Sequence, residues 1–212
     1  MLHGLLASLA PLVEARRTHP TDDLLSMLVQ GEQHGALTRQ EVMANILLLL
    51  AAGHETTINL IGNGLLAFLR HPEQWAMFTH APRQHAVLAT EECLRYDPPV
   101  KSFTRMAVAE VPWRGKVIRP GERVRWVIAS ANRDPARFVA PDTFDMRREP
   151  NPHVAFGSGI HHCLGASLAR LEGQEVFTAL AQRFPTLHLA IDEVAYQPSL
   201  AFRALTALPV SW

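Results

Sequence analysis

The chain has 212 residues, of which 48% are apolar and 19% are charged, and its 20 basic and 20 acidic side chains leave no formal net charge. This composition excludes a disordered chain, which needs low hydrophobicity and a high net charge, and it gives no electrostatic reason to expect nucleic acid or an anionic membrane as a partner. The two cysteines, Cys93 and Cys163, are too far apart for a CxxC zinc pair and too few for a disulfide framework, so we predict a reducing compartment.

The first element is the apolar stretch of residues 1–10, which has some features of a signal peptide. It lacks the basic leading region, and charged residues follow where a cleavage site belongs. The longest apolar run, residues 46–53, has eight residues, whereas a membrane span needs roughly 20. We therefore predict a cytoplasmic protein that binds no membrane, and we interpret residues 1–10 as part of a helix whose upstream portion is absent.

The rest of the first half is predicted to be helical. Asp23 precedes a short apolar helix, and residues 38–41 (Thr-Arg-Gln-Glu) are a capping box that begins a much longer one. No proline follows until Pro72, which permits a helix of about 30 residues, roughly 45 Å long. Around residues 46–52 this helix is apolar on every side, so we predict that it is buried all round. Pro72 and Pro82 occupy positions typical of helix starts.

The second half predicts a different architecture. Short β-type runs alternate with turn residues from 103 to 129, which indicates a small antiparallel sheet. Residues 132–162 are rich in proline and glycine and predict a long irregular loop, a kind of segment that is usually functional. An amphipathic helix is expected at residues 164–184, followed by a short β-rich tail. The predicted fold class is mainly α with a small β-sheet region, in one partial domain over residues 1–212.

The most informative segment is the loop around Cys163, with the sequence FGSGIHHCLG over residues 156–165. Its glycines permit a tight turn. A helix is expected directly after the cysteine, and its free N–H groups and dipole would stabilise a thiolate. A lone thiolate suits a single axial bond to a metal, as in a haem site. Two alternatives stay open from these residues: a zinc site that uses His161, His162 and Cys163, and a nucleophilic cysteine with a histidine base.

The pattern F-G-x-G-x-H-x-C-x-G resembles the haem-binding loop of the cytochromes P-450, with every fixed position matched. Residues 52–56 resemble the family's A-G-x-[DE]-T oxygen-activation motif, and residues 92–95 resemble its E-x-x-R motif. Residues 132–135 and 144–147 resemble the meander before the haem loop in bacterial members. The resemblance covers residues 20–212 and implies the carboxy-terminal part of that fold: a long central helix, the E-x-x-R helix, the meander, the cysteine loop and the following helix.

The resemblance also implies roles for single residues. Cys163 would be the proximal iron ligand of haem b, and Phe156 would pack beside its sulfur. His161 and Arg105 match residues that contact the haem propionates. The other positions that the resemblance places at the cofactor are Ala52, Gly157 and Gly165. Cys93, by contrast, is interpreted as a small buried core residue.

Two further pairs take roles from the resemblance. Glu55 and Thr56 match the acid–alcohol pair that delivers protons at the oxygen site, although a threonine hydroxyl bonded to a carbonyl one turn back is the simpler interpretation. Glu92 and Arg95 lie one helical turn apart and would form, with Arg147, a structural network that holds the meander beneath the haem.

The family resemblance implies a monooxygenase that inserts one atom of O2 into a small organic substrate. Electrons would come from NAD(P)H through a separate ferredoxin or flavodoxin, because the sequence has no flavin or iron–sulfur motif. The family's amino-terminal W-x-x-x-R motif is missing, so we expect only the carboxy-terminal half, with the apolar side chains of residues 42–66 unusually exposed. The remaining parts of the substrate pocket would be residues 51–52, 100–103 and 200–202. The alternatives are a non-catalytic remnant and a small metal or interaction protein that uses His161, His162 and Cys163.

Overall fold

A computed structural model describes residues 2–212, which are mainly helical with three two-stranded antiparallel sheets. The predicted fold class is therefore confirmed. The chain forms two compact units, one ending at His54 and the other beginning at Glu55, and the longest helix contributes to both. The single partial domain over residues 1–212 stays a prediction.

Seven α-helices and six short strands make up the described part of the chain. The helices are α1 (Leu2–Thr18), α2 (Leu24–Gln33), α3 (Arg39–Leu69), α4 (Pro72–His80), α5 (Pro82–Tyr96), α6 (Ile128–Ala131) and α7 (Ala166–Arg183). The strands are β1 (Ser102–Met106), β2 (Val111–Trp113), β3 (Lys116–Ile118), β4 (Arg123–Val127), β5 (His188–Leu189) and β6 (Val210–Ser211). Strand β1 pairs with β4, β2 with β3, and β5 with β6. The two prolines that predict helix starts do begin α4 and α5, whereas the short helix α6 was not predicted.

The first unit contains α1, α2 and the beginning of α3. Asp23 caps α2, because its carboxylate accepts the Ser26 N–H at 2.7 Å. The predicted capping box begins α3: the Glu41 carboxylate accepts the Thr38 N–H at 2.7 Å, and the Thr38 hydroxyl accepts the Glu41 N–H at 3.2 Å. These bonds satisfy amides that the start of a helix leaves unpaired. The core of this unit consists of Val13, Val29, Val42 and Ile46.

The core of the second unit is aromatic. Phe68 on α3 is completely buried, and its ring lies 5.2 Å from that of Phe144 and 5.8 Å from that of Phe177, both edge-on. Phe78 and Trp75 of α4 lie against the same ring. Edge-on aromatic pairs are favoured beyond the burial of their area, so this cluster fixes how α3, α4 and α7 pack.

Two glycines let α3, α5 and α7 approach closely. A Cβ atom on Gly64 of α3 would lie 2.5 Å from the Phe177 ring and 3.0 Å from Cys93 Sγ. A Cβ atom on Gly173 of α7 would lie 2.9 Å from the Thr90 side chain. These separations are shorter than van der Waals contact, so a larger residue would force the helices apart. The close packing fixes α7, and the loop that precedes it, relative to α3 and α5.

The prediction that α3 is buried all round near residues 46–52 is wrong. Leu48 and Leu50 are 63% and 47% exposed, and Ile58 is 53% exposed. The exposure that we expected over residues 42–66 is therefore present at these positions, whereas Val42, Ile46, Leu60, Leu65 and Leu66 are buried. An apolar sequence shows which residues avoid water, but burial needs neighbouring elements on every side. The described elements leave part of the circumference of α3 open.

By length and composition, α3 is also the one helix among the described residues that could cross a membrane. Core helices of water-soluble proteins have the same length and composition, so this observation carries little weight. The second unit packs the carboxy-terminal part of α3 into its core through Leu60 and Phe68. Lipid cannot surround that part of the helix.

Candidate functional site

The loop before α7 presents Cys163 to solvent. Gly157 and Gly159 have φ angles of 70° and 72°, a left-handed conformation that glycine adopts without strain. They allow the chain to turn back, so that the Phe156 carbonyl accepts the Cys163 N–H at 3.0 Å. A short 3-10 turn, Gly159–His161, comes just before the cysteine, and α7 begins just after it.

The two cysteines have opposite environments. Cys93 lies completely buried on α5, and burial raises the pKa of its thiol. Cys163 is exposed and belongs to no disulfide. Gly165, at the N-cap of α7, has no side chain that could accept a hydrogen bond, and the Ala166 N–H donates instead to the Cys163 carbonyl at 3.3 Å, so the start of the helix lies directly beside the cysteine. An accessible sulfur at the positive end of a helix is suited to bind one metal as a thiolate.

The histidines beside Cys163 do not complete a zinc site. His161 and His162 are both exposed. Among the described side chains, no group of three or more His, Cys, Asp or Glu residues is placed to hold a metal ion. A structural zinc site needs four protein ligands, whereas a haem iron needs one axial protein ligand because the porphyrin supplies the others. The donor set around Cys163 therefore fits haem and does not fit zinc.

A cluster of charged residues lies where α5 meets the cysteine loop. Glu91 accepts hydrogen bonds from Arg170 of α7 and from His153. Burial raises the pKa of Glu91, but the bonds and charges of these two partners outweigh burial and hold the pKa at about 2. The hydrogen bonds to Glu91 raise the pKa of Arg170, and the charge of Cys163 adds to this shift. This cluster was not predicted from the sequence. The one feature that could have indicated it is an acidic residue, Glu91, directly before the E-x-x-R motif.

Glu92 and Arg95 form a completely buried ion pair on α5. Arg95 Nε lies 2.7 Å from one oxygen of Glu92, and Nη2 lies 2.8 Å from the other. The remaining N–H groups of Arg95 donate to the backbone carbonyls of Asn132, Pro141 and Thr143. All five N–H groups of the guanidinium thus have an acceptor, as a buried charge requires.

The arginine that joins this pair is Arg148, so the prediction of Arg147 is wrong by one residue. Arg148 Nε lies 3.1 Å from Glu92 Oε2. Arg147 is exposed, its N–H donates to Asp145, and it has no ion pair with any described residue. Asn151, which the sequence did not indicate, also donates to Glu92 at 3.1 Å. The meander has no helical or strand period, so its sequence does not show which of two adjacent arginines faces α5.

The oxygen-activation motif lies on a more open part of α3 than we predicted. Glu55 is exposed and Thr56 is half-buried. The hydroxyl of Thr57 donates to Glu172 of α7 at 2.9 Å, which ties α3 to α7 one residue after Thr56. Ala52 is exposed and belongs to the first unit. The proton-delivering role of Glu55 and Thr56 stays a prediction.

The two residues expected to contact propionates are both accessible. Arg105 lies exposed on β1, where its Nη1 donates to the Thr104 carbonyl at 3.2 Å and its guanidinium lies 5.9 Å from the Phe103 ring. His161 is exposed in the cysteine loop. Because Arg105 is exposed, its charge is accessible to an anionic group.

Two of the three segments expected to line the substrate pocket, residues 100–103 and 200–202, contact each other. Val100 and Phe202 form an isolated antiparallel bridge. The Ser102 hydroxyl donates to the Leu200 carbonyl at 2.8 Å, and the Lys101 N–H donates to the carbonyl of residue 201 at 2.6 Å. The carboxy-terminal tail is therefore fixed against the segment that leads into β1, and Leu200 points outward with its side chain exposed.

Comparison with known proteins finds matches in one family. The family model described as cytochrome P450 matches residues 8–195. The biotin biosynthesis cytochrome P450 of Bacillus subtilis is 45% identical over 207 residues, which cover 98% of this chain and 52% of that protein. The vitamin D(3) 25-hydroxylase of Pseudonocardia autotrophica is 44% identical over 215 residues, covering 99% of this chain and 52% of that protein. The chain spans about half the length of the curated relatives it matches.

Solved structures agree with these relatives. The structure of P450BioI in complex with hexadec-9Z-enoic acid ligated acyl carrier protein matches with a TM-score of 0.91 and 46% identity, over 98% of this chain and 53% of that one. The cytochrome P450 PksS of the Bacillus subtilis bacillaene polyketide synthase matches with a TM-score of 0.94 and 41% identity, over 99% of this chain and 55% of that one. The helices and small sheets are thus arranged as in the matching half of these proteins, and the fold that the resemblance implied is confirmed.

Proposed function

Because the chain belongs to the cytochrome P450 family, we propose that it carries the haem-binding half of a haem-thiolate monooxygenase. The observation that supports this most directly is the cysteine loop, with one accessible sulfur, two glycines of positive φ and a helix that begins just after them. Cys163 would be the axial ligand of haem b. Bound haem would supply the iron that activates O2, and a thiolate ligand donates electron density to that iron.

The remaining contacts to the haem would come from the loop and from two other elements. His161 in the loop and Arg105 on β1 would bind the propionates, since both can donate hydrogen bonds and both are exposed. The positions that would line the ring itself are Phe156, Gly157, Gly165 and Ala52.

Glu55 and Thr56 would move protons at the oxygen site. The Glu55 carboxylate is exposed and can exchange protons with water. The Thr56 hydroxyl, one residue further and half-buried, can accept a proton on one side and donate on the other. The hydrogen bond from Thr57 to Glu172 would hold this part of α3 in place.

We propose a small organic molecule and O2 as substrates. The relatives are described by biotin biosynthesis, polyketide biosynthesis and vitamin D(3) hydroxylation, so membership of the family selects no single substrate. We propose NAD(P)H, through a ferredoxin or a flavodoxin, as the source of electrons. The protein would act in the cytoplasm, where unpaired cysteines stay reduced, without nucleic acid or membrane as a partner.

A carbon-monoxide difference spectrum tests the proposal. The chain is mixed with excess haemin, which favours the bound state by mass action, then reduced and exposed to carbon monoxide. The wild type should show a thiolate-type band that Cys163→Ser abolishes. Cys93→Ser is the matched control and should keep the band, because Cys93 is completely buried on α5. An unchanged band in Cys163→Ser would remove Cys163 as the ligand, and bound zinc in place of iron would favour a small metal protein.

A further inference from the structure

Glu91 and Arg170 form an ion pair beside the cysteine loop that is separate from the buried Glu92–Arg95 pair. Arg170 Nε lies 2.7 Å from Glu91 Oε1, and Nη2 lies 3.0 Å from Oε2. A two-point contact of this kind fixes the orientation of both side chains. The Glu91 side chain is 19% exposed, so water competes weakly for its oxygens.

His153 adds a second contact to Glu91. Its Nε2 lies 3.0 Å from Glu91 Oε2, and its Nδ1 accepts the Ala155 N–H at 3.2 Å. The Glu91 carboxylate can only accept a hydrogen bond, so His153 donates its Nε2–H to it. The His153 side chain is 2% exposed. Glu91 of α5 is therefore bonded to α7 and also to the segment that leads into the cysteine loop.

Arg170 contacts the cysteine loop as well as Glu91. Its guanidinium carbon lies 4.5 Å from the centre of the Phe156 ring, within the range of cation–π attraction. The Phe156 carbonyl in turn accepts the Cys163 N–H at 3.0 Å. A continuous series of contacts therefore connects the Glu91 carboxylate to the backbone of Cys163.

We propose that Glu91 and Arg170 are positioning residues for Cys163, because they hold Phe156 and, through it, the turn that carries the sulfur. The inference rests on the proposed function, since it treats Cys163 as the iron ligand. A simple surface ion pair would have little effect on a neighbouring loop. The two-point geometry, the burial of Glu91 and the stacked ring distinguish this pair from a surface pair.

Hydrogen–deuterium exchange tests the proposal without haem. The amides of Gly157, His162 and Cys163 all donate within the loop, so their exchange reports how often the loop opens. Loss of the charged contact in Glu91→Gln should speed exchange in the peptide of residues 154–163 about tenfold, with β1 and β4 unchanged. Arg170→Gln should do the same. The double variant should exchange no faster than either single variant, because the two residues act through one contact.

Asp142→Asn is the matched control. Asp142 Oδ1 lies 2.9 Å from Arg133 Nη1, and the Arg133 guanidinium lies 4.2 Å from the centre of the Tyr96 ring. The same combination of carboxylate, arginine and aromatic ring is therefore disrupted at a carboxylate that is 83% exposed and outside the series of contacts from Glu91 through Arg170 to Phe156. Asp142→Asn should leave exchange of residues 154–163 at the wild-type rate.

Faster exchange confined to residues 154–163 supports the proposal. Unchanged exchange there overturns it, and so does an equal increase in β1 and β4, which would indicate a general loss of stability. If Glu91→Gln does not fold, Arg170→Lys decides: it keeps the charge but loses the two-point contact, and its loop should exchange faster than in the wild type.

The haem-loaded chain provides a second readout. The thiolate-type fraction of its carbon-monoxide complex should fall in Glu91→Gln and not in Asp142→Asn, and equal fractions in the two variants would overturn the proposal. A wild type that never shows a thiolate-type band would contradict the proposed function, while the exchange rates would still decide whether Glu91 and Arg170 hold the loop.

Discussion

Thr56 lies half-buried on α3, one residue before the threonine that bonds to α7. Thr57 supplies that structural bond, so Thr56→Ala in a complete monooxygenase should leave haem binding intact. Loss of a proton-transfer group should lower product formation roughly 10²–10⁴-fold and divert electrons to hydrogen peroxide. The measurement is product formed per NAD(P)H consumed.

Thr57→Ala is the control for this variant. It removes the hydroxyl that donates to Glu172, so it should lower the free energy of unfolding and leave the ratio of product to NAD(P)H near the wild-type value. A wild-type ratio in Thr56→Ala itself would exclude Thr56 from proton delivery.

Glu91 makes the stability of the chain depend on acid pH. Burial raises the pKa of this carboxyl, but His153 and Arg170 hold it at about 2, against a reference value of 4.5. Since the pKa is lower in the folded state, the ionised carboxylate stabilises the fold above the reference pKa, and this contribution is lost as the pH falls toward 2. We expect Glu91→Gln to have a lower free energy of unfolding than the wild type at about pH 6, and we expect this difference to shrink to roughly half or less at about pH 3. Urea unfolding of both proteins at several pH values measures this difference. If the difference in free energy of unfolding does not change with pH, the stabilisation belongs to another group.

Single residues could be predicted where a short spacing on one element decides which side chains meet. The E-x-x-R spacing puts Glu92 and Arg95 one turn apart on a helix, and they do form an ion pair. Glu91 and Arg170 are separated by 79 positions, and only the packing of α5 against α7 brings them together. No local pattern contains that information.

The close contact of α3 with α5 and α7 depends on the absence of a side chain at Gly64. A Cβ atom there would overlap Phe177 and Cys93, and overpacking costs typically about 1–3 kcal/mol. The gain in helix propensity from glycine to alanine is about 1 kcal/mol at most. Gly64→Ala should therefore lower the free energy of unfolding measured in urea.

Gly62→Ala is the matched control on the same helix. Its Cβ would meet Leu205 at 3.5 Å, an ordinary contact, so the gain in propensity should dominate and raise the free energy of unfolding. A stabilising effect of both substitutions would show that α3 can move away from α7 at little cost.

Element boundaries followed from local chemistry, whereas the burial of elements did not. The capping box at Thr38 and the prolines at positions 72 and 82 mark helix starts, because these effects act within one turn. The exposure of Leu48 and Leu50 depends on which elements surround α3. The apolar pattern of one helix does not reveal whether its partners belong to the same chain.

At the scale of the whole molecule, large apolar side chains are exposed on more than one element. On α3 and around the start of α7 these are Leu48, Leu50, Ile58, Ile160, Leu164, Leu168 and Leu171. Exposed apolar area of this extent is unusual in monomers and is typical of surfaces that need a partner. The chain also spans about half the length of its relatives.

We therefore expect this chain alone to bind haem weakly and to form negligible product. After mixing with haemin, gel filtration should separate most of the haem from the protein. Turnover with a surrogate reductase should stay at the level of free haemin. A thiolate-type band that survives gel filtration, together with coupled substrate hydroxylation, would contradict this expectation.

The accessibility of Cys163 has a consequence for how the chain behaves in storage. The sequence has two cysteines and one of them, Cys93, is buried in the core, so each chain offers a single accessible thiol to an oxidant. Oxidation in air can join two chains through a disulfide and must then stop, because the product has no reactive thiol left. Each chain can therefore form only one intermolecular disulfide. In such a dimer the Cys163 sulfur is no longer available to bind haem. Any loss of haem binding during storage should therefore be reversed by a thiol reductant.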